Sequence, residues 1–174
     1  MAENNYLISQ SGVALRLMTE KDTDKIIKWR NSKSVMDKFI VKTPLTREIH
    51  QNWIETKIKT GLARQFIVCL LEDNTEIGSV YFRDIDNEKH TAEYGVFLSE
   101  EYTGKGYGTI ALKLMKDIAR NDMGFKTLTA RIVDGNIPSV RAFEKNDFVY
   151  DERTDVFIDN GVNKKVIFMK CNLD

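Results

Sequence analysis

The sequence predicts an α/β (α+β) protein with a mixed, mostly antiparallel sheet of about seven strands and helices on both faces. Three observations carry that expectation. Apolar, β-prone runs and two-faced helical runs follow each other in the order β-α-α-β-β-β-α-β-α-β-β. Turn residues punctuate the chain, with Asp73-Asn74, Asp86 to Lys89 and Asp159-Asn160-Gly161 marking reversals between strands. A glycine-rich loop, Thr103-Gly104-Lys105-Gly106-Tyr107-Gly108, links a buried strand to an amphipathic helix.

Taken in order, residues 1–12 are polar and read as a loose tail, and residues 13–174 as a single domain. Val13 to Leu17 is a short strand. Thr19 then caps a helix with Glu20 and Asp22 in its first turn; the helix carries Ile26, Ile27 and Trp29 and ends near Asn31. Ser32 to Thr43 is a broken helix or loop whose Val35, Met36, Phe39 and Ile40 suit either a pocket wall or plain packing. Thr46 caps a second helix through Ile49, Trp53, Ile54 and Ile58, closing at Gly61. Gln65 to Leu71 and Glu76 to Ile85 form an antiparallel pair, and Ala92 to Leu98 is the central strand. From Gly106 to Arg120, Ala111, Leu114, Met115 and Ile118 share one helix face, with Lys113, Lys116, Asp117 and Arg120 opposite. Gly124 stops that helix. Thr127 to Val133 is a strand, Asn136 to Asn146 a helix that tolerates Pro138 in its first turn, and Phe148 to Ile158 and Lys164 to Asn172 close the sheet.

Composition narrows the function. The 26 basic residues balance 26 acidic ones, so no long-range field draws the chain to nucleic acid or to an anionic membrane. Two isolated cysteines, Cys69 and Cys171, suit a reducing cytoplasm, and two histidines, His50 and His90, argue against a metal site. Neither a signal peptide nor a long apolar span is evident, so the expected location is cytoplasmic.

The chemistry concentrates in the glycine loop. Glycines at 104, 106 and 108 let the backbone approach a ligand without a Cβ, and the next helix presents unpaired N–H groups and a positive dipole end. Such a loop cradles phosphate, although glycine-rich turns also occur without a ligand. The spacing fits neither the dinucleotide fingerprint nor a P-loop. It resembles the acetyl-CoA loop of the GNAT superfamily of N-acetyltransferases, Arg/Gln-x-x-Gly-x-Gly/Ala, with Thr103 in the Arg/Gln place and Gly106 and Gly108 in register. Downstream, Asn136, Ser139, Lys145 and Phe148 match the family's N-x-x-A/S-x-x-x-Y-x-K-x-G-F pattern. Phe143 stands where that pattern has the tyrosine used as general acid, and Asp147 where it has glycine. Ile27-Lys28-Trp29-Arg30-Asn31 resembles the W-R-N element of the ribosomal-protein and spermidine acetyltransferase branch. With Phe39, Glu48 and His50 it is also similar to the enzymes that acetylate a nucleotide-linked amino-deoxysugar in pseudaminic acid synthesis.

The resemblance implies the GNAT fold, acetyl-CoA as donor and a primary amine as acceptor, by direct attack. It implies cofactor contacts from Phe97, Leu98, Thr103, Gly104, Lys105, Gly106, Tyr107, Gly108, Thr109, Asn136, Ser139, Phe143 and Lys145. It also implies a splay between the central strand and the next that leaves the Phe97 and Leu98 amides free for the pantetheine arm, with the Leu98 N–H as oxyanion donor. Trp29, Arg30, Asn31 and Phe39 are the acceptor-side candidates, although the core is the favoured place for Trp29 and a neighbouring helix is the alternative partner of Arg30. An alkylammonium leaves only roughly one molecule in 2,500 as free amine at pH 7. A carboxylate must therefore take a proton, and Glu93, inside an apolar strand, is the candidate; a solvent-facing strand residue is the alternative. Without a hydroxyl at Phe143, the thiolate must be protonated by Ser139, Tyr150, water or the amine's own proton. The expected acceptor is a small molecule such as a nucleotide-linked amino sugar or aminoglycoside. Polyamine or protein N-terminal acetylation, or a non-catalytic acyl-CoA-binding module, are the alternatives, and the resemblance allows a homodimer.

Overall fold

The computed structural model describes residues 5–174, arranged as one eight-stranded sheet with helices on both faces. Strand order is β1 (Tyr6–Gln10), β2 (Val13–Leu17), β3 (Arg64–Leu70), β4 (Glu76–Asp86), β5 (Thr91–Leu98), β6 (Thr127–Val133), β8 (Val162–Asn172), β7 (Val149–Asp159). Every neighbouring pair is antiparallel except β5–β6.

The N-terminal segment departs from expectation. Residues 6–10 are not a loose tail but the edge strand β1, which pairs with β2 from Tyr6↔Arg16 to Gln10↔Val13. Residues 1–4 of that expected tail lie outside the described residues. The strand shows half-buried Tyr6, Ile8 and Gln10 alternating with exposed Leu7 and Ser9, so too little of it is apolar and buried to stand out in sequence. It raises the strand count from seven to eight.

Helix α1 (Thr23–Arg30) follows a 3₁₀ turn in which Thr19 and Asp22 cap each other's backbone. A short α2 (Lys33–Met36) interrupts the loop that follows. In α3 (Arg47–Trp53) the Thr46 hydroxyl accepts from Ile49 N, and the helix then widens into a π turn at Ile54–Ile58. Helix α4 (Tyr107–Asn121) buries Ala111, Leu114, Met115 and Ile118, the stripe read from its periodicity. Helix α5 (Ile137–Glu144) ends beside Asp147, whose φ of 66° takes the left-handed conformation that suits glycine or Asp there. Lys116 fastens this corner, donating to Asn146 O at 2.6 Å and to Asp147 at 2.9 Å.

Two apolar layers result. Helices α4 and α5 cover one face through Phe66, Phe82, Tyr94, Leu98, Leu114, Phe143 and Phe148. A smaller layer on the other face holds Ile26, Trp29, Val35, Ile67, Cys69 and Phe97, with Phe39, Leu45 and Tyr81 packed against it. Period-two alternation in β5 therefore sends Tyr94, Val96 and Leu98 to the α4–α5 face and Glu93, Gly95 and Phe97 to the other.

Candidate active site

The site begins with an interrupted ladder. Strands β5 and β6 pair at Thr91↔Thr127, Ala92↔Leu128 and Glu93↔Thr129, and beyond Glu93 they part. On its other edge β5 stays paired with β4 through Leu98↔Gly78, and Ser99 N donates to Ile77 O at 2.8 Å. Hydrogen-bonded and open pairs alternate in an antiparallel ladder, so Gly95 and Phe97 exchange their bonds with β4 while the amides of Tyr94, Val96 and Leu98 turn to the open side. This corrects the expectation for Phe97: its side chain lines the opening but its amide is directed at β4. Leu98 keeps an amide on the open edge, as does Val96, which sequence reading passed over.

A cleft of about 880 Å³ passes through this opening and connects the two faces of the sheet. On the α4–α5 face it is bounded by Leu98, Thr103, Gly104, Gly106, Gly108, Thr109, Asn136, Ser139, Phe143 and Lys145. Gly104 and Gly106 have φ of 74° and 86°, a conformation that side chains resist, and a Cβ at either would enter empty space rather than protein. Thr109 N and Ile110 N donate to Gly106 O, which leaves the amides of Tyr107 and Gly108, the first two of α4, without an intrahelical partner. The loop thus fits the diphosphate of coenzyme A: free amides, a positive helix end and room where a side chain would stand. Lys105 and Tyr107 do not line the cleft; Lys105 Nζ lies 5.4 Å from the centre of the Tyr102 ring and Tyr107 packs beside the same ring.

The opposite end is lined by Arg30, Lys38, Phe39, Tyr81, Arg83, Glu93 and Arg131. Arg30 stacks its guanidinium 3.6 Å over Phe39, donates from Nη2 to Val41 O at 2.8 Å, and leaves Nη1 buried with no hydrogen-bond partner among the described residues. Burial lowers its pKa, with Tyr81 acting in the opposite direction. Glu93 lies between two guanidiniums: Arg83 reaches Oε1 with Nε at 2.9 Å and Nη2 at 2.6 Å, and Arg131 Nε reaches both oxygens at 3.1 and 3.0 Å. Burial pushes the Glu93 carboxyl up and Arg83 pulls it back. Tyr81 lies across Gly95 so closely that a Cβ there would meet its ring and hydroxyl at 2.2–2.4 Å.

Two acceptor-side expectations do not survive. Trp29 is core, packed with Ile26, Val35 and Phe97, and is absent from the cleft wall. Asn31 is a structural clasp, its Nδ2 donating to Leu45 O at 2.8 Å and its Oδ1 accepting from Leu45 N at 2.7 Å, which closes the loop between α2 and α3. His50 is buried with Nδ1 3.1 Å from the Thr23 hydroxyl, Glu48 is exposed, and neither lines the cleft. Tyr150 is exposed and lines a separate depression with Asp151 and Arg153, which removes it as proton donor. Cys69 and Cys171 are buried away from the cleft, and burial pushes both thiols up, so neither serves as a nucleophile. Among the described residues no cluster of His, Cys, Asp or Glu is arranged to hold a metal, and no helix is long and apolar enough to cross a membrane.

Residues that sequence reading missed are Tyr81, Arg83, Tyr94, Val96 and Arg131. Each sits in an ordinary strand pattern, and only the parting of β5 from β6 brings them to one cavity.

Comparison with known proteins agrees with this geometry. The family model described as acetyltransferase (GNAT) domain matches residues 13–149. An uncharacterised N-acetyltransferase of Bacillus licheniformis is 26% identical over 141 residues, 78% of each chain. An uncharacterised protein of Methanocaldococcus jannaschii is 28% identical over 79% of this chain, which spans only 28% of that longer protein. The crystal structure of spermidine N-acetyltransferase from Vibrio cholerae with CoA and spermine superposes with a TM-score of 0.86 at 19% identity, covering 94% of this chain and 97% of that one, a likeness of fold. The chain belongs to the GNAT acetyltransferases and is an N-acetyltransferase whose donor is acetyl-CoA.

Proposed function

We propose that the protein transfers the acetyl group by direct attack to a primary amine on a small molecule that also bears an anionic group, such as a nucleotide-linked amino sugar. The observation that carries this reading is the charge of the cleft. Among the described residues, Arg30, Lys38, Arg83, Arg131, Arg141 and Lys145 line it against one carboxylate, Glu93. Arg141 and Lys145 belong to the cofactor end; the other four cations face Glu93 alone at the acceptor end. A polyamine would bring several positive charges into that field, whereas a carboxylate or phosphate meets guanidiniums suited to bidentate pairing.

In this reading the α4 N-terminus and Gly104 to Gly108 hold the diphosphate, and the open edge of β5 aligns the pantetheine arm. Leu98 N–H, or Val96 N–H nearer the point where the strands part, donates to the acetyl oxygen as it gains charge. Glu93, held by Arg83 and Arg131, accepts the ammonium proton directly or through water. Asn136, Ser139 and Lys145 border the cofactor arm from α5.

The test is thiol release from acetyl-CoA against nucleotide-linked amino sugars, aminoglycosides, amino acids, spermidine and N-terminal peptides, with calorimetric acetyl-CoA binding on the same sample. Turnover confined to anionic amines supports the reading. Turnover of spermidine or of peptides overturns the acceptor class, and cofactor binding without any release would make the chain a binding module.

A further inference from the structure

We propose that the Tyr94 hydroxyl is the proton donor to the departing sulfur, taking from the strand side the role that position 143 on α5 lacks a hydroxyl to fill. The inference rests on the acetyl-transfer reading above.

Tyr94 is the first residue of β5 beyond its pairing with β6 and stands two residues before Val96, at the apex of the opening. Its side chain is on the α4–α5 face and its ring meets Phe143 edge-on, centroids 5.5 Å apart; Phe143 in turn meets Phe148 at 4.9 Å. Both Tyr94 and Phe143 line the cleft. The Tyr94 hydroxyl is buried and has no hydrogen-bond partner among the described residues. A phenylalanine would fill the same place in the core without leaving a polar group unpaired, so the hydroxyl has no packing role. Burial, with Tyr81 adding to it, pushes the phenol well above its ordinary range, so it enters every turnover protonated. Ser139, the other cleft hydroxyl on that face considered from sequence, sits half-buried in the first turn of α5.

The step balances. The amine nitrogen bonds to the acetyl carbon, and the carbon–sulfur bond breaks with its electron pair on sulfur. Tyr94 delivers its proton to sulfur; the ammonium's first proton has gone to Glu93 before attack, and the second, lost from nitrogen once the C–N bond has formed, restores the phenol.

The experiment compares wild type, Tyr94→Phe, Phe143→Tyr and the double variant. One readout is turnover with acetyl-CoA and the amine of the panel turned over fastest. The other needs no acceptor: ultraviolet titration of the thiol of bound coenzyme A, which a hydroxyl donating to sulfur makes more acidic. Tyr94→Phe is expected to lower kcat about 10- to 100-fold, with the KM for acetyl-CoA unchanged. The bound thiol should titrate about one pH unit higher, a tenfold change in its ionisation constant. Phe143→Tyr should restore both in the Tyr94→Phe background. A Tyr94→Phe enzyme with unaltered kcat and thiol titration overturns the proposal, as does a Ser139→Ala variant that takes the loss instead. Failure of coenzyme A to bind at all would instead defeat the acetyl-transfer reading.

Discussion

Glu93 couples chemistry to the cations around it. If it takes the ammonium proton, Glu93→Gln lowers kcat/KM at pH 7 by about 10²-fold, and the loss shrinks toward pH 10, where roughly a quarter of the amine is already free. A loss that is constant across that range would mean that Glu93 only holds Arg83 and Arg131 in place. Arg30 offers a second residue-scale test, because its Nη1 has no hydrogen-bond partner among the described residues. Arg30→Met should raise the KM for an anionic acceptor about tenfold and leave acetyl-CoA affinity unchanged, measured by steady-state kinetics and calorimetry. A third prediction concerns stability. Burial pushes Asp22 up, but Arg16, at 2.7 and 2.9 Å, with the Thr19 amide and hydroxyl, more than offsets this and holds the carboxyl below its ordinary value. A depressed folded-state pKa contributes stability above the unfolded value near 3.9 and loses it as pH falls through the lower folded value. Asp22→Asn should therefore cost about 1–3 kcal/mol at pH 7, and chemical denaturation should show the difference closing below about pH 4.

At the scale of elements, three glycines separate cradle, strand pairing and acceptor floor. Gly106→Ala forces a Cβ into a left-handed position at the N-terminus of α4, for a stability cost of about 1 kcal/mol; the Cβ meets no protein atom there, and by standing where the diphosphate is proposed to bind it should weaken acetyl-CoA binding about tenfold. Gly78→Ala meets backbone, Phe97 O at 2.4 Å and Leu98 Cα at 2.8 Å, so β4 must move off β5 at the residues that border the opening. Thermal melting should register about 1–3 kcal/mol of destabilisation. In Gly95→Ala the obstacle is the far end of Tyr81, a side chain able to swing into the cleft. Its melting temperature should fall less than that of Gly78→Ala while acceptor turnover collapses. Much at this scale was legible in sequence. Helix α4 followed from Ala111, Leu114, Met115 and Ile118, and Thr19 and Thr46 marked helix starts correctly. Strand β1 was not legible, because an edge strand with one half-buried face carries little apolar signal and its pairing depends on β2 being there to meet it.

For the whole molecule, a net charge of zero conceals a cationic cavity. Between about 0.1 and 1 M salt the screening length falls from about 10 to 3 Å. The KM for an anionic acceptor should then rise, whereas that for spermidine, if it is used at all, should fall. What the sequence by itself determined were the local and motif-borne features: the order of elements, the helix caps, and the glycine loop whose left-handed backbone only glycine adopts easily. The positions of Phe143 and Asp147 against the family pattern were legible for the same reason. These are properties of neighbours along the chain. Tertiary structure decided what depends on distant strands. Trp29 and Arg30 are adjacent in sequence, yet one packs into the core and the other reaches the cleft. Glu93, Arg83 and Arg131 come from three strands and meet only across the sheet. The parting of β5 from β6 after Glu93 is an absence of pairing, which no side-chain pattern encodes. It is that absence which frees the Val96 and Leu98 amides and brings Tyr94 to the point where the reaction would occur.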